Sequence, residues 1–427
     1  MTPRRATLWQ WIDTRMPTLR EQWRIHASEY YAPKNFNFWY FFGSLALVVL
    51  VIQIVSGIFL TMNYKPDSNL AFGSVEYIMR DVAGGWIIRY IHSTGASAFF
   101  IVIYLHMFRA IMYGSHKQPR ELVWIFGMLI YLTLMGEAFF GYLLPWGQMS
   151  YWGAQVIVNL FGSIPFIGTD LALWIRGDYV VSDATLNRFF ALHVIALPLV
   201  LLALVVVHIL ALHDVGSNNP DGVEIKKVKG PDGHPLDGIP FHPYYTVKDI
   251  MGSVVFLFIF CFVLFFVPEV GGYFLEYNNF IPADPLKTPP HIAPVWYFTP
   301  YYSILRAVPP LFNSQFPGVL AMGVSVLIFF FLPWLDRSPV KSVRYRGAYF
   351  KTPLAIFVVV FLILGYLGTE PTTVWGQFDF DAFFLDTKDR ATWVARLCTL
   401  LYFLFFILMP WYTARDAVKP VPERVTV

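Results

Sequence analysis

Long apolar segments alternate with short polar segments along most of the chain. A helix that crosses a membrane needs roughly 20 mostly apolar residues, because the hydrocarbon layer is about 30 Å thick. A scan at this length predicts eight spanning helices, labelled A to H. They run approximately over residues 39–62, 86–112, 122–143, 185–212, 246–267, 317–335, 352–368 and 393–413. The pattern therefore predicts an all-α polytopic membrane protein in which helices A to D form a four-helix bundle.

The composition agrees with a membrane protein. Hydrophobic residues make up 56% of the chain, charged residues only 14%, and the mean hydropathy is +0.53, whereas soluble domains carry about a quarter charged residues. The net charge of +3 is too small and too scattered to predict nucleic acid as a partner. Cys261 and Cys398 fall inside apolar segments without a CxxC or CxxCH motif, which disfavours disulfides, zinc and covalently attached haem.

Lysine and arginine collect in alternate connecting loops. Because these residues concentrate on the cytoplasmic side near helix ends, the pattern predicts a multi-pass membrane protein with both termini in the cytoplasm. The residues placed on that side are Arg4, Arg5, Arg15, Arg20, Arg24, Lys34, Lys117, Arg120, Lys226, Lys227, Lys229, Arg337, Lys341, Arg344, Arg346, Arg415, Lys419 and Arg424. The opposite loops are sparser in positive charge, and the G to H loop contains Asp379, Asp381 and Asp386.

This topology divides the chain into five segments. Residues 1–38 are predicted to form a cytoplasmic tail with an interfacial helix, and residues 39–213 the four-helix bundle. A cytoplasmic loop spans 214–245, helices E to H and their outer loop span 246–414, and a second cytoplasmic tail spans 415–427.

Two connections on the predicted outer face are too long to be simple turns. Residues 144–184 contain amphipathic stretches such as Trp152 to Phe161, which are typical of interfacial helices. Residues 268–316 are dense in proline and aromatic residues. Because long ordered loops are more often functional than not, the sequence predicts a structured pocket on the outer face.

Four histidines lie within the predicted bundle, where ionisable residues are costly and usually face the interior for a reason. Helix B carries His92 and His106, and helix D carries His193 and His208. Spacings of 14 and 15 residues put each pair on approximately one helix face, roughly 21 to 22 Å apart along the axis. Two facing helices then offer an outer pair, His92 with His193, and an inner pair, His106 with His208. Iron held between two neutral imidazoles is an electron-transfer form of haem.

Other interpretations of these histidines remain open at this point. A single histidine in a membrane helix is often only a hydrogen-bonded helix contact, although four at matching heights are harder to explain in this way. Zinc is disfavoured, because ligands some 21 Å apart cannot converge on one tetrahedral ion. A proton relay is a further alternative.

Glycines and arginines supply supporting spacings. Glycine admits a flat macrocycle close to the backbone, but it is also ordinary in membrane helices. Two pairs, one on helix A and one on helix C, share the 14-residue spacing: Gly43 with Gly57, and Gly127 with Gly141. Arg80, Arg109 and Arg188 lie near helix ends, where a guanidinium either pairs with haem propionates or extends toward the interface.

Taken together, several long motifs resemble those of the cytochrome b family, the membrane core of the quinol–cytochrome c reductase complex. The resemblance spans about residues 38 to 411 and leaves only the two tails outside. The motifs are FWY (38–40), GWIIRYIHSTGAS (85–97), GYLLPWGQMSYWGA (141–154), RFFALHVIALP (188–198), GSNNPDG (216–222), FHPYYTVKDI (241–250) and PPHIAPVWYFTPYYSILR (289–306).

The resemblance implies a di-haem electron carrier with two non-covalent haem b groups. His92 and His193 would ligate the low-potential outer haem iron, and His106 and His208 the high-potential inner one. Quinol would be oxidised at the outer face and quinone reduced near the cytoplasm, which contributes to proton-motive force. The chain has neither iron–sulfur ligands nor covalent haem. A Rieske iron–sulfur subunit and a membrane-anchored c-type cytochrome are therefore implied partners, in a homodimeric complex surrounded by membrane lipids.

The outer quinol site departs from the family pattern at one position. Where the family usually has PEWY, with a glutamate thought to accept a proton, this chain has PVWY, Pro294 to Tyr297. Valine cannot take a proton, and Glu276 is the nearest acidic candidate in the loop. We expect Glu276 to replace the missing acceptor; the alternative is a solvated loop carboxylate. Further expected members of the outer site are Trp296, Tyr302, Gly153 and Trp152.

The resemblance places the inner quinone site at the inner ends of helices D and E and the start of helix A. Its expected members are His213, Ser217, Lys248 and Asp249. A histidine and an aspartate within reach of a quinone carbonyl can donate hydrogen bonds and protons during its reduction.

The histidine spacing on helix D also bears on the type of relative. Respiratory forms commonly separate these histidines by 14 residues, and the photosynthetic split form by 15, as here. We expect Pro198 to help helix D absorb the extra residue through a local bulge. The split form breaks before helix E and lacks helix H, so continuous helices A to H favour the respiratory kind.

Three other classes compete with this interpretation. A secondary transporter should show internal repeats and interrupted helices around a midplane site. A di-haem cytochrome of a dehydrogenase or hydrogenase shares the histidine pattern, but usually has fewer helices and no PWGQ or PxWY motif. A structural membrane anchor would bind no haem. A reduced-minus-oxidised absorption spectrum separates the haem proteins from the others.

Overall fold

The computed structural model describes residues 7–25, 29–378 and 386–426. In that part of the chain, eight helices are long and apolar enough to cross a membrane, which confirms the predicted all-α polytopic fold. Helices A to H run over Phe38–Thr61, Gly85–Tyr113, Glu121–Leu143, Asp183–Val215, Phe241–Phe266, Phe316–Leu335, Ala348–Thr369 and Arg390–Ile407. Of the charges predicted for the loops, Arg4, Arg5, Asp379 and Asp381 lie outside the described residues.

The helix limits differ most from the apolar segments at helices E and H. Helix E begins at Phe241, five residues before the apolar run, because helical hydrogen bonding continues through the polar residues that follow His242. Helix H ends at Ile407, and a short helix, Met409–Ala414, follows. Pro410 lies in the first turn of that short helix and has no amide hydrogen to donate to the preceding turn. The single predicted segment 393–413 is therefore two helices.

The helices form two packed groups. Helix A packs along helix B and helix C along helix D, and together they make the predicted four-helix bundle. Helix E packs on the outside of helices A and B. Helices F, G and H surround a short helix, Thr299–Ala307, and their shared core is rich in aromatic side chains such as Phe357 and Tyr402.

Helix D contains the local bulge predicted from its histidine spacing. Residues Leu192–Ala196 form a π-helical turn, and the α-helix resumes at Leu197. Pro198 lacks an amide hydrogen, and its ring would clash with the carbonyl of Val194 in a regular α-helix. The wider turn accommodates both effects and takes up one extra residue. His193 lies within this turn, so the bulge directly affects the orientation of its side chain.

The two long outer connections are joined to each other. The first contains helices Gln148–Gly162 and Gly168–Arg176, and the second contains short turns such as Tyr277–Phe280. Backbone hydrogen bonds connect them, from Gln148 N to the Ile281 carbonyl at 2.9 Å and from Ala283 N to the Trp146 carbonyl at 3.0 Å. The two segments therefore form one structured cover over one end of the bundle.

A buried ionic cluster lies at the opposite end of the bundle, between the B to C and F to G connections. Asp336 Oδ2 lies 2.6 Å from Arg346 Nη2 and 3.0 Å from His116 Nε2, and Asp336 Oδ1 lies 3.2 Å from Lys117 Nζ. The side chains of Asp336, Arg346 and His116 are almost completely inaccessible to solvent. The Asp336 carboxylate thus contacts several buried cationic or hydrogen-bonding groups, and it connects the four-helix bundle to helices F and G.

The C-terminal tail packs back onto the D to E loop. Arg424 pairs with Asp237 at 2.7 Å, and the backbone and hydroxyl of Thr426 each donate to Asp221 at 2.8 Å. In the same region, strand Tyr31–Pro33 pairs antiparallel with strand Gly238–Pro240. These contacts fasten both tails to the loop that connects helices D and E.

Candidate functional site

Two pairs of histidine rings meet between helices B and D. The ring centroids of His92 and His193 lie 6.1 Å apart, and those of His106 and His208 lie 6.5 Å apart. The structure therefore brings together the two pairs that the helix spacing predicts. Nδ1 of His92 lies 3.0 Å from the Ser56 hydroxyl. The other ring nitrogen, Nε2, is therefore available for a ligand in the gap.

The ring separations fit a metal ion held between two imidazoles. A metal–nitrogen bond of about 2 Å and a distance of roughly 1.1 Å from ring centre to nitrogen place two axial ring centres about 6.2 Å apart. The observed values bracket this separation. Across residues 7–25, 29–378 and 386–426, no group of three or more His, Cys, Asp or Glu side chains is placed to hold a metal ion. The donor set thus fits axial ligation of iron porphyrin rather than an all-protein metal site.

Each histidine pair lines a mostly apolar cavity. The outer cavity, about 280 Å³, contains His92 and His193, and the inner cavity, about 690 Å³, contains His106 and His208. Cavities of this order, apolar with a few converging polar groups, are typical of cofactor and ligand sites. Two such cavities at opposite ends of one bundle fit two cofactors better than one.

The four predicted glycines each lie against one histidine ring. The pairs are Gly43 with His106, Gly57 with His92, Gly127 with His208, and Gly141 with His193. The contact is closest at Gly141, where a Cβ atom would lie only 2.4 Å from Cε1 of His193. Glycine at this position therefore admits the imidazole itself, which explains why the glycine spacing on helices A and C repeats the histidine spacing.

Only one of the three predicted arginines lies at a cavity. Arg109 lines the inner cavity, and its Nη2 lies 3.2 Å from Nδ1 of His106 while its buried Nε has no hydrogen-bond partner. The structure does not bring the other two there. Arg80 is exposed and pairs with Glu76, and Arg188 donates to the carbonyl of Trp174. Position near a helix end did not determine where these side chains point.

Two arginines that were not predicted line the cavities, whereas Arg80 and Arg188 do not. Arg89 lines the outer cavity, and Arg120 lines the inner cavity while it pairs with Glu224 at 2.6 Å. A signal for Arg89 existed in the sequence. It precedes His92 by three residues, as Arg109 follows His106 by three, and residues three apart share a helix face.

Glu276 and Gly153 converge on one tyrosine of the outer cavity. The Tyr142 hydroxyl lies 2.9 Å from Oε2 of Glu276, and a Cβ at Gly153 would lie 3.5 Å from the Tyr142 ring. Burial raises the pKa of Glu276 to about 7, although the hydrogen bond from Tyr142 acts in the opposite direction. Glu276 is thus a partly buried carboxyl with a raised pKa, hydrogen-bonded to Tyr142, rather than a fully solvated loop carboxylate.

The other three residues predicted for the outer site do not line the outer cavity. Trp296 donates from Nε1 to the hydroxyl of Ser97, a residue of the outer cavity, at 3.1 Å. Trp152 donates to the carbonyl of Asp284 at 3.2 Å. Tyr302 lies under the guanidinium of Arg306, and none of these three predicted residues lines the outer cavity itself.

All four predicted inner residues line the inner cavity, together with the inner histidine pair. These residues are His213, Ser217, Lys248 and Asp249. The sequence analysis missed Tyr30, whose ring stacks on His213 with centroids 4.3 Å apart and whose hydroxyl lies 2.8 Å from Ser217 Oγ. No local motif singles out Tyr30, because it is brought to the cavity by the strand pairing next to it.

Comparisons with known proteins agree with this geometry. The family described as cytochrome b/b6/petB matches residues 27–216, and the family described as cytochrome b (C-terminal)/b6/petD matches residues 282–380. The chain is similar to cytochrome b of Allochromatium vinosum, with 63% identity over 97% of each chain. This chain belongs to the cytochrome b family.

Other members of the cytochrome b family are similar over almost the whole chain. Cytochrome b of Rhodospirillum rubrum is 46% identical over 98% of this chain and 95% of its own. A solved structure described as a hyperthermophilic respiratory Complex III superimposes with a TM-score of 0.83 at 41% identity, over 96% of this chain and 99% of that one. Membership implies electron transport within a membrane, an oxidoreductase activity and haem b as a cofactor.

One polar contact in this cytochrome b was not predicted. Nδ1 of His193 lies 2.9 Å from the carbonyl oxygen of Glu137 and 3.1 Å from its carboxylate oxygen Oε1. Glu137 lies on helix C, four residues before Gly141, and both residues contact the same ring. A lone glutamate in an apolar helix was a detectable signal in the sequence, because charged residues are rare in spanning segments.

Proposed function

We propose that this chain is the di-haem subunit of a bacterial respiratory quinol–cytochrome c reductase. It oxidises quinol at the outer cavity, passes electrons through two b haems and reduces quinone at the inner cavity. The observation that carries this proposal is the presence of two histidine pairs, one in each cavity, at ring separations of 6.1 and 6.5 Å. When bound, each haem supplies a one-electron carrier.

The chain's own residues hold the two carriers in series. His92 and His193 would hold one haem at one level of the bundle, and His106 and His208 would hold the other at a second level, roughly 21 Å away along helix B. Arg89 in the outer cavity and Arg109 in the inner cavity are placed to neutralise carboxylate groups of the cofactors. Electrons therefore have a path across most of the hydrocarbon layer, which supports a contribution to proton-motive force.

At the outer site, Glu276 is the proposed proton acceptor for quinol. Its pKa of about 7 matches a group that takes a proton at neutral pH and releases it again. Tyr142 holds the carboxylate by a hydrogen bond at the edge of the outer cavity. Valine at position 295 leaves no acidic group in the PVWY motif, so Glu276 acts from the opposite part of the same loop.

At the inner site, His213 and Asp249 are the proposed hydrogen-bond and proton donors to quinone. Ser217 and Lys248 line the same cavity and add a hydroxyl and a positive charge. A positive charge stabilises the negative charge that develops on a quinone oxygen during reduction. Tyr30 fixes the inner site by stacking on His213 and bonding to Ser217.

The proposed partners follow from what the chain lacks. Cys261 and Cys398 are both unpaired in the structure and lie on different helices, so they provide no iron–sulfur or covalent haem site. A Rieske iron–sulfur protein and a membrane-anchored c-type cytochrome would carry electrons onward. We place the chain in a bacterial inner membrane with both termini in the cytoplasm, within a dimer of complexes.

The reduced-minus-oxidised absorption spectrum of membranes that contain the chain tests the proposed function. We expect a b-type band whose reduction by quinol proceeds in two steps, because two carriers of different potential are filled in turn. Membranes from cells that lack the gene are the control. A spectrum without a b-type band would contradict the proposal.

Replacing Glu276 by glutamine is expected to slow quinol oxidation by about 10²- to 10⁴-fold at neutral pH, the range typical of a lost general base. Rates should be measured as quinol-dependent cytochrome c reduction between pH 5.5 and 9. In the unchanged protein, activity should rise as pH increases through about 7, where the Glu276 carboxylate becomes the dominant form. This rise should disappear in the variant.

Glu269→Gln is the matched control, because Glu269 lies on the same loop and its carboxylate accepts a long hydrogen bond, 3.5 Å, from the Tyr90 hydroxyl. It should leave both the rate and the pH profile unchanged. If Glu276→Gln behaves like the control, Glu276 is not the proton acceptor.

A further inference from the structure

Glu137 places a carboxyl group directly beside an imidazole of the outer pair. Nδ1 of His193 lies 2.9 Å from the backbone carbonyl oxygen of Glu137 and 3.1 Å from its carboxylate Oε1. Both oxygens are acceptors, so Nδ1 carries the hydrogen and Nε2 keeps its lone pair for a ligand. Glu137 therefore selects the tautomer that ligation requires.

No comparable contact exists at two of the other imidazoles. Nδ1 of His92 faces the neutral hydroxyl of Ser56 at 3.0 Å, and Nδ1 of His106 faces the positive guanidinium of Arg109 at 3.2 Å. Among the described ion pairs, His193 is the one member of the four histidines that lies within 4 Å of a carboxylate. A carboxyl group is therefore in contact with the outer pair but not with these two imidazoles, while an arginine lines each cavity, Arg89 the outer and Arg109 the inner.

The position of Glu137 is costly for the fold. Its second carboxylate oxygen, Oε2, is buried without a hydrogen-bond partner, and the residue lines the outer cavity on an apolar helix. An incompletely paired carboxyl group in a membrane span is costly and is usually retained for a functional reason. Because Oε1 of Glu137 contacts His193, a predicted haem ligand, the retention of Glu137 points to an effect exerted through His193.

The π-helical turn of helix D makes this contact possible. His193 is the second residue of the turn Leu192–Ala196, where the chain has absorbed one extra residue. Its ring lies against Gly141, closer than any other histidine lies to its glycine. Gly141 and Glu137 are four residues apart and therefore share one face of helix C. Both residues therefore contact the His193 ring from helix C.

We infer that Glu137 is a positioning residue for the outer haem, and that its carboxyl group lowers the reduction potential of that haem through the Nδ1–H of His193. This inference rests on the proposed role of His193 as a ligand. A hydrogen bond from a ligating imidazole to a carboxylate makes the imidazole more basic and fixes its orientation. A more basic ligand favours the oxidised iron, and electron flow from the outer to the inner haem then becomes more favourable.

Glu137→Gln tests the inference, because glutamine keeps the shape and an acceptor oxygen but removes the acidic group. Redox titration of the purified complex should show an outer haem that is reduced about tenfold more readily, which corresponds to about 59 mV for a one-electron couple. The low-spin electron paramagnetic resonance signal of the outer haem should shift, and that of the inner haem should not.

Glu121→Gln is the matched control. Glu121 lies in the first turn of the same helix, roughly 24 Å from Glu137 along the helix axis. It should change neither potential nor signal. An outer-haem potential and resonance signal in Glu137→Gln equal to those of the unchanged protein would overturn the inference. Absence of haem from the unchanged protein would instead overturn the proposed function, so the two failures are distinguishable.

Discussion

Replacing His92 by leucine is expected to remove the outer haem, to halve the haem content of the chain and to abolish quinol-dependent cytochrome c reduction. One axial nitrogen of the outer pair is then missing, and the apolar leucine cannot replace it. The inner pair lies roughly 21 Å away along the helix, so the inner haem should remain. Haem extracted per chain and the absorption spectrum of the purified protein measure the result.

The four single leucine variants separate the two sites. Variants at His92 and His193 should lose the same haem, and variants at His106 and His208 should lose the other. His234→Leu is a matched control, because His234 lies in the D to E loop, stacked on Tyr31, and lines neither cavity. Retention of both haems in all four bundle variants would rule out the proposed ligands.

The membrane fold was predictable because the hydrocarbon layer imposes a minimum length on every apolar segment. Each of the eight predicted segments overlaps one observed helix. The limits shifted at helices E and H, where hydropathy is a poor guide to hydrogen bonding. A helix continues through polar residues at the interface, as after Phe241, and it stops where Pro410 removes a donor.

The histidine pairs were predictable because a helix is rigid enough for spacing to specify direction. A separation of 14 or 15 residues left few ways for helices B and D to face each other. The same argument predicted the bulge, since Pro198 and the extra residue on helix D required a wider turn. The histidine pairs could therefore be predicted from helix geometry, because they depend only on helices B and D.

The residues that sequence analysis missed depend on contacts between distant segments. Tyr30 reaches the inner cavity through a strand pairing with residues more than 200 positions away. Arg80 lies on a short helix outside the bundle, which turns its side chain to Glu76 and solvent. Glu137 was visible as an isolated charge, but its partner could be found only once helices C and D were placed side by side.

Replacing Asp336 by asparagine is expected to destabilise the protein by about 3 to 5 kcal/mol, the cost of breaking a buried ionic contact. The variant leaves Arg346 and Lys117 without their shared countercharge in a region closed to solvent. It should lower the temperature at which the solubilised protein loses its haem absorbance. Asp386→Asn is the control, because Asp386 and Arg396 form a partly exposed pair that contributes at most about 1 kcal/mol.

The pH dependence provides an independent check on Asp336. Burial by itself raises its pKa, but the hydrogen bond from His116 and the positive charge of Arg346 hold the pKa far below its ordinary value. A carboxyl group with a lowered pKa in the folded state stabilises the fold above its unfolded pKa of about 3.9, and this stabilisation is lost as the pH falls below that value. The unchanged protein should therefore lose stability more steeply than Asp336→Asn between about pH 5 and pH 3. Parallel stability curves for the two proteins over this range would show that Asp336 does not carry the charge that holds the cluster together.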